Sequence, residues 1–383
     1  MSNIGVYNYF PLEFGGGGEA VATMLCNGLA NSGNDVTYYA DAAFNGITRY
    51  SEEHISRIGH TFTYRKVQFR QYSKKGRRWL FRPFPTMAQL SANSKVMIFV
   101  DRVPPKAFLE KVVSANRRVG LLLHGIAPTD NPKGDFITTG YQILVRAMLR
   151  RVAGLLKKDV FFFQVFNKET RRYLLDLGIN SSNIFVIPNG VNSSRFLPPK
   201  KSDKFIIVFS GRIETHTKGI DILKAISKRV ASDDTYPLHI DIFGSGKDSH
   251  MLSGYNPPGK VVYHGFVSEA ERLEVMSRAS LSLITSRIEP FSLVCVESLM
   301  SGVPVVSTPV SGPRGVLSTD SSYGKIVSFN ENEIYDTLAS FQTEWSQDPV
   351  KYLDKRLRIA LTAKTTFSSQ KMIHDYLTLL DAL

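Results

Sequence analysis

The chain has 383 residues, too many for one ordinary core and suited to two domains. Hydrophobic residues make up 43% and charged residues 21%, which excludes a disordered chain. The net charge of +13 points toward a polyanionic partner. No run approaches the roughly 18–20 apolar residues that span a bilayer. Nor does the N-terminus carry the basic and apolar regions of a signal peptide, so the expectation is a cytoplasmic protein.

Short apolar, β-branched runs alternate with helical patterns along the chain. In the first half the expected strands are Ile4–Asn8, Asp35–Ala40, Phe62–Phe69, Val96–Val100, Val119–Leu123, Val160–Val165 and Ile184–Ile187. Between the first two, Val21, Met24, Leu25 and Leu29 share one face of a helix over 19–31, which Gly33 can stop. A proline- and lysine-containing stretch, 195–204, then reads as a linker. In the second half the expected strands are Phe205–Phe209, Leu238–Phe243, Val261–Tyr263, Leu281–Ile284, Pro304–Ser307 and Lys325–Val327. From about 349 onward the pattern is helical. Continuous apolar strands separated by helices indicate parallel sheets covered on both faces. The domains are therefore expected at 1–200, joined by a C-terminal helix 365–383, and at 201–364.

Ligands of open parallel sheets bind at the carboxyl ends of the strands, so the residues after each strand matter most. The first strand leads into F-G-G-G-G-E-A, residues 14–20, and a helix. Glycines there admit a close ligand, and a helix N-terminus offers free N–H groups to an anion. Gly15-x-Gly17-x-x-Ala20 with Asp41 also satisfies a dinucleotide fingerprint, and a purely structural turn is a third reading. His124-Gly125 follows the strand ending at Leu123. Arg212 and Lys218 follow the strand ending at Phe209, and a fork and a point charge together suit a diphosphate. Gly244-Ser245-Gly246 makes a tight turn after the next strand. Finally, 285–308 reads as strand, loop with Glu289, helix from about Leu293 carrying Glu297, a stop at Gly302, and a strand. N–H groups around Phe291, Ser292 and Leu293 would face an anion.

Cys26 and Cys295 lie in apolar helical patterns and are expected as buried thiols. The eight histidines form no metal-binding spacing, so no protein-bound metal is expected. The stretch 64–82 carries Arg65, Lys66, Arg70, Lys74, Lys75, Arg77, Arg78 and Arg82, with aromatic residues interleaved and no acid.

Taken together, G-G-G-G-E (15–19), H-G (124–125), I-P-N-G-V-N-S-S-R-F (187–196), S-G-R (210–212), K-G-I-D (218–221), I-F-G-S-G (242–246), H-G-F-V (264–267) and Glu289-x7-Glu297 followed by G-V-P-V-V (302–306) make the chain resemble a retaining glycosyltransferase of the GT-B fold, family 4 type. The resemblance implies two Rossmann-like domains with parallel sheets facing a central cleft, and a C-terminal helix that crosses back to the first. It implies transfer from a nucleotide diphosphate sugar, UDP- or GDP-linked, to a saccharide or lipid-linked acceptor in cell-surface glycan synthesis, with no metal or cofactor. Gly16 and Gly17 would close on the donor phosphates. His124 would contact the donor sugar. Arg212 and Lys218 would neutralise the leaving diphosphate. Gly244 would lie near the nucleotide. Glu289, with backbone from Phe291, Ser292 and Leu293, would bind the sugar, and Glu297 the ribose. Pro290 and Ser292 depart from the glycines frequent in the family. The basic stretch 64–82 would dock on anionic membrane or on a phosphorylated acceptor. Other readings are an epimerase or sugar phosphorylase on the same fold, an NAD-dependent dehydrogenase, and a nucleic-acid-binding module; nucleic acid is not the expected partner.

Overall fold

The seven strands of the first half and the six of the second assemble into separate sheets, parallel throughout. The structure is a computed structural model that describes residues 2–42, 44, 48, 50–53, 55, 60–67, 94–100, 103–115, 117–123, 136–252 and 259–383. The chain forms two compact units. The first comprises Met1–Pro128, Phe136–Gly190 and Ser369–Leu383; the second is built on Val191–Ser368.

In the first unit the strands are β1 (Asn3–Tyr7), β2 (Asp35–Asp41), β3 (Thr63–Val67), β4 (Val96–Val100), β5 (Arg118–Leu122), β6 (Phe161–Val165) and β7 (Ile184–Val186), in the spatial order β3-β2-β1-β4-β5-β6-β7. Every residue of β4 and β6 is buried, which is why β4 reads as an unbroken apolar run and β6 is interrupted only by Gln164, whose amide donates to Ile187 O. The edge strand β3 is largely open to solvent and correspondingly polar. The helix Gly17–Asn31 packs against the last helix, Ser369–Asp381. Gly28 makes that approach possible, since a Cβ there would fall 2.3 Å from Ile373 Cδ1. The chain thus ends in the unit where it begins.

The second sheet holds β8 (Phe205–Ser210), β9 (Leu238–Phe243), β10 (Val261–Gly265), β11 (Leu281–Ile284), β12 (Val305–Ser307) and β13 (Gly324–Ile326). Their order is β10-β9-β8-β11-β12-β13. Phe205, Ile207 and Phe209 of β8 pack with Leu223, Ile226 and Val230 of the helix Ile220–Ser232. Ser268 and Glu271 form a reciprocal capping box on the helix Glu269–Arg278. The C-terminal helical stretch is two helices, Pro349–Thr366 and Ser369–Asp381, with the break at Phe367 and Ser368 held by Val191. The stretch 195–204, polar enough to read as a linker, lies inside the second unit. Its backbone is pinned there: Lys200 N donates to Ser277 O at 2.7 Å. Cys26 and Cys295 are buried thiols, and burial raises the pKa of each. No described helix is long and apolar enough to cross a membrane.

Candidate active site

The second sheet changes winding direction between β8 and β11. The chain continues from β8 to β9 on one side and from β11 to β12 on the other. In doubly wound sheets the crevice at that point receives the ligand. Two loops meet there, the one after β8 and the one after β11.

Glycine geometry brings the loops into contact. Gly219 has φ +64° and separates the short helix Thr215–Lys218 from Ile220–Ser232. A Cβ on Gly219 would fall 2.1 Å from the Thr285 carbonyl oxygen. Glycine is required both for the left-handed backbone and for the approach. Thr285 Oγ1 donates to Lys218 O at 2.7 Å. Arg287 forks onto both oxygens of Asp221 at 2.7 Å and also donates to Thr215 O at 2.9 Å. These bonds from Arg287 hold the Asp221 carboxyl below its usual pKa. The stitched loops place Lys218 Nζ against Glu289 Oε2, with side chains 20% and 14% exposed. Ser286 Oγ lies 3.4 Å from the same oxygen.

Arg212, on the same loop as Lys218, is more than half exposed, with Nη1 3.5 Å from Glu214 Oε2. Glu214 also meets Lys247 Nζ at 2.9 Å and accepts from Thr217 Oγ1 at 3.0 Å. Burial alone would raise the Glu214 pKa; the bonds from Lys247 and Thr217 outweigh it and leave the pKa lowered. Glu214 therefore sits between Arg212 and Lys247, on the loop that also carries Lys218. Gly244, φ +136°, serves packing in this frame: a Cβ would fall 1.8 Å from Gly211 O. Ile213 N donates to Ser245 O at 3.1 Å, so the turn after β9 supports the loop that carries Arg212.

Beyond Glu289, Phe291 is buried and Gly312 backs the loop, its N–H donating to Glu289 O at 2.8 Å. Ser292 caps the helix Leu293–Met300 through a bond from Cys295 N at 3.2 Å. Its φ is +74°, and it is the one non-glycine residue with positive φ among those described. A left-handed non-glycine residue costs about 1–2 kcal/mol. Glycine at an N-cap loses only a few tenths of a kcal/mol against serine, whereas alanine loses about 1 kcal/mol. Ser292→Gly should therefore be neutral to stabilising by up to about 1 kcal/mol, and Ser292→Ala destabilising by about 1 kcal/mol or more. Urea unfolding of the three proteins checks the order; an alanine variant as stable as the glycine variant would contradict it.

Glu297 lies one turn into that helix. Its Oε1 pairs with Arg195 Nη2, and its Oε2 accepts from Arg272 Nη1 at 3.0 Å. Neither arginine carries a role in the sequence reading. Arg195 sits inside I-P-N-G-V-N-S-S-R-F (187–196), but Arg272 is 25 residues from its partner, and no spacing rule links them.

In the first unit Gly15 has φ +66° and ends the turn Leu12–Phe14, and Gly16 caps the helix Gly17–Asn31. A Cβ on Gly16 would meet Glu19 Oε2 at 2.5 Å and the Phe14 ring at 3.1 Å, so a side chain there would have to displace the Glu19 carboxylate. Gly17 opens the helix. At the carboxyl ends of β1–β3 a cavity of about 190 Å³ is lined by Glu13, Asp41, Phe44, Tyr50 and Lys66, among others. Tyr64 OH donates to Glu13 at 2.7 Å and Lys66 Nζ lies 2.8 Å from it. Burial would raise the Glu13 pKa; these contacts prevail and lower it. His124 and residues 68–82 of the basic stretch lie outside the described residues.

Comparison with known proteins converges on the same arrangement. Residues 15–195 match the model of Glycosyltransferase Family 4 and residues 191–352 that of Glycosyl transferases group 1. The chain is 26% identical over 172 residues to mannosylfructose-phosphate synthase of Agrobacterium fabrum, covering 39% of this chain and 37% of that protein. It is 26% identical over 161 residues to lipopolysaccharide 1,6-galactosyltransferase of Escherichia coli, covering 39% and 44%. The chain thus spans less than half the length of either relative in these matches. Among solved structures, Anabaena Alr3699/HepE in complex with UDP superposes with a TM-score of 0.70 over 100% of both chains, at 17% identity. Two doubly wound parallel units, each matched by its own family model, make this chain a GT-B protein that belongs to the group 1 glycosyltransferases.

Proposed function

We propose that the protein transfers a sugar from a UDP- or GDP-linked donor to a saccharide or lipid-linked acceptor in cell-surface glycan synthesis. The observation that carries this reading is the pairing of Lys218 with Glu289 at the switch point of the second sheet, with Arg212 on the same loop as Lys218. A diphosphate needs cations, and a sugar needs acceptors for its hydroxyls. Lys218 has three N–H donors, one of which Glu289 takes; the others can face phosphate oxygens. Arg212 adds a fork at the exposed rim. Glu289 keeps its second oxygen for a sugar hydroxyl, assisted by backbone at Phe291, Ser292 and Leu293. Glu297 takes the ribose and Gly244 borders the nucleotide, and the first unit receives the acceptor.

Two cations at the leaving group do the work for which a metal would otherwise serve, so the reaction is read as metal- and cofactor-independent. As the bond from the anomeric carbon to the leaving phosphate oxygen breaks, Lys218 and Arg212 stabilise the charge that develops on the diphosphate. The departing phosphate oxygen takes the acceptor hydroxyl proton on the same face, and the configuration is retained. The related Escherichia coli lipopolysaccharide galactosyltransferase and the UDP-bound Anabaena structure support this donor and acceptor class. The stretch 64–82 is assigned to an anionic membrane face, where each cation is worth about 1 kcal/mol. Undiminished vesicle binding after loss of Lys75, Arg77 and Arg78 would refute that assignment.

The direct test is thermal unfolding with UDP, GDP, their sugars and NAD. A nucleoside diphosphate at about 100 times its Kd stabilises by about 2.7 kcal/mol, or roughly 5–10 °C for a unit of this size. A midpoint raised by NAD and by no nucleoside diphosphate would replace this reading with the dehydrogenase.

A further inference from the structure

Both carboxylate oxygens of Glu297 are already engaged by arginines. Its side chain is 13% exposed, between Arg195 on one oxygen and Arg272 on the other. The Arg195 guanidinium has further partners, and Arg272 stands on an anchored helix. Arg195 Nη1 pairs with Glu269, and its guanidinium lies over the Phe196 ring, 4.9 Å from the centroid. Arg272, 17% exposed, stands on the helix Glu269–Arg278, whose start is locked by the Ser268–Glu271 capping box. The result is a chain of alternating charge, Glu269–Arg195–Glu297–Arg272, two acids and two bases spread over three segments of the second unit.

A carboxylate has about four lone-pair directions. Two are used by the arginines, one on each oxygen. The remaining one on each oxygen is held at a fixed separation, and two acceptors at carboxylate spacing match the two hydroxyls of a vicinal diol. The clamp therefore does not block the carboxylate; it removes the freedom that a glutamate would otherwise lose on binding.

We propose that Arg272, with Arg195, is a positioning residue that holds Glu297 in register for the ribose diol of the donor. The proposal rests on the nucleoside diphosphate reading and adds to it the group that sets ribose recognition. A purely structural role for the network would weaken ribonucleotide and deoxyribonucleotide binding alike. A positioning role makes the loss specific to the ribose hydroxyls.

The test is calorimetric titration of the full chain with UDP and 2′-deoxy-UDP, and with GDP and 2′-deoxy-GDP in parallel. The wild type should prefer the ribonucleotide by about tenfold or more, the usual weight of a hydrogen bond to a charged group. In Arg272→Met the preference should fall below about threefold, through weaker binding of the ribonucleotide. Binding of the deoxy form should stay near its wild-type value. Arg272→Lys, which returns one donor and the charge, should recover part of the preference. If Arg272→Met does not fold, Arg195→Met frees the other oxygen and is read in the same way. An Arg272→Met protein with the wild-type ratio overturns the positioning role and leaves the donor reading standing. A wild-type protein that binds none of the four nucleotides overturns both.

Discussion

Lys218→Met should lower the rate of sugar transfer by about 10²–10³-fold, the usual cost of removing one group aimed at developing charge. The reason is geometric. Lys218 is fixed by Gly219 and Thr285 at the end of the strand where the winding changes direction, and in the resting protein its ammonium is held by Glu289. Loss of the lysine also strands a carboxylate that is only 14% exposed. Exposed pairs contribute about 0–1 kcal/mol and fully buried ones lose about 3–5 kcal/mol when one partner is removed. This half-buried pair should fall between, at about 1–2 kcal/mol. The double variant Lys218→Met with Glu289→Gln separates the two effects. It should regain most of the stability, because no uncompensated charge remains, while transfer stays at or below the single-variant rate. Urea unfolding and single-turnover transfer from UDP- and GDP-sugars measure both quantities. Wild-type turnover in Lys218→Met would remove Lys218 from the leaving-group site.

Arg356→Met should destabilise the second unit by about 3–5 kcal/mol without touching the site, the range in which buried charged networks break. Arg356 is 3% exposed. Its three nitrogens donate to three main-chain carbonyls: Gly302 O at 3.1 Å, Lys200 O at 2.9 Å and Ser277 O at 2.8 Å. Burial lowers its pKa to about 10, which leaves it protonated at neutral pH. Gly302, φ +71°, packs its backbone closely against this residue, since a Cβ there would lie 2.4 Å from Arg356 O and from Pro199 Cγ. Methionine fills the volume and satisfies none of the carbonyls. The midpoint should drop by roughly 10 °C, and transfer measured well below that temperature should persist. An unchanged midpoint would show that water replaces the guanidinium without cost.

Two-sided burial explains why so much of the fold is legible beforehand. β4, β9 and β11 begin and end where the apolar runs do, and most other strands differ from expectation by one or two residues at an end. The polar stretch 195–204 misleads for the opposite reason. Composition records that lysine and proline are tolerated, and Lys200 is tolerated because its backbone bonds inward to Ser277 and Arg356 while its ammonium pairs with Glu274 at the surface. At Ser292 the sequence shows only a departure from glycine. The backbone shows that the left-handed conformation is kept and that the hydroxyl caps a helix in return.

The frame around Glu289 and Glu297 follows from sequence by itself, because a strand, a loop and a helix start are local and each has a local signature. The identity of the family follows as well, because its motifs recur in order along the chain. The partners of these groups belong to the tertiary structure alone. Lys218 reaches Glu289 across 71 positions and Arg195 reaches Glu297 across 102. Whether two loops so far apart in sequence touch depends on strand order, and a parallel sheet can be wound in several orders from the same apolar runs. Once β8 and β11 are neighbours, the charges on their loops must find each other or be left buried and unpaired, and that cost selects the pairs that form.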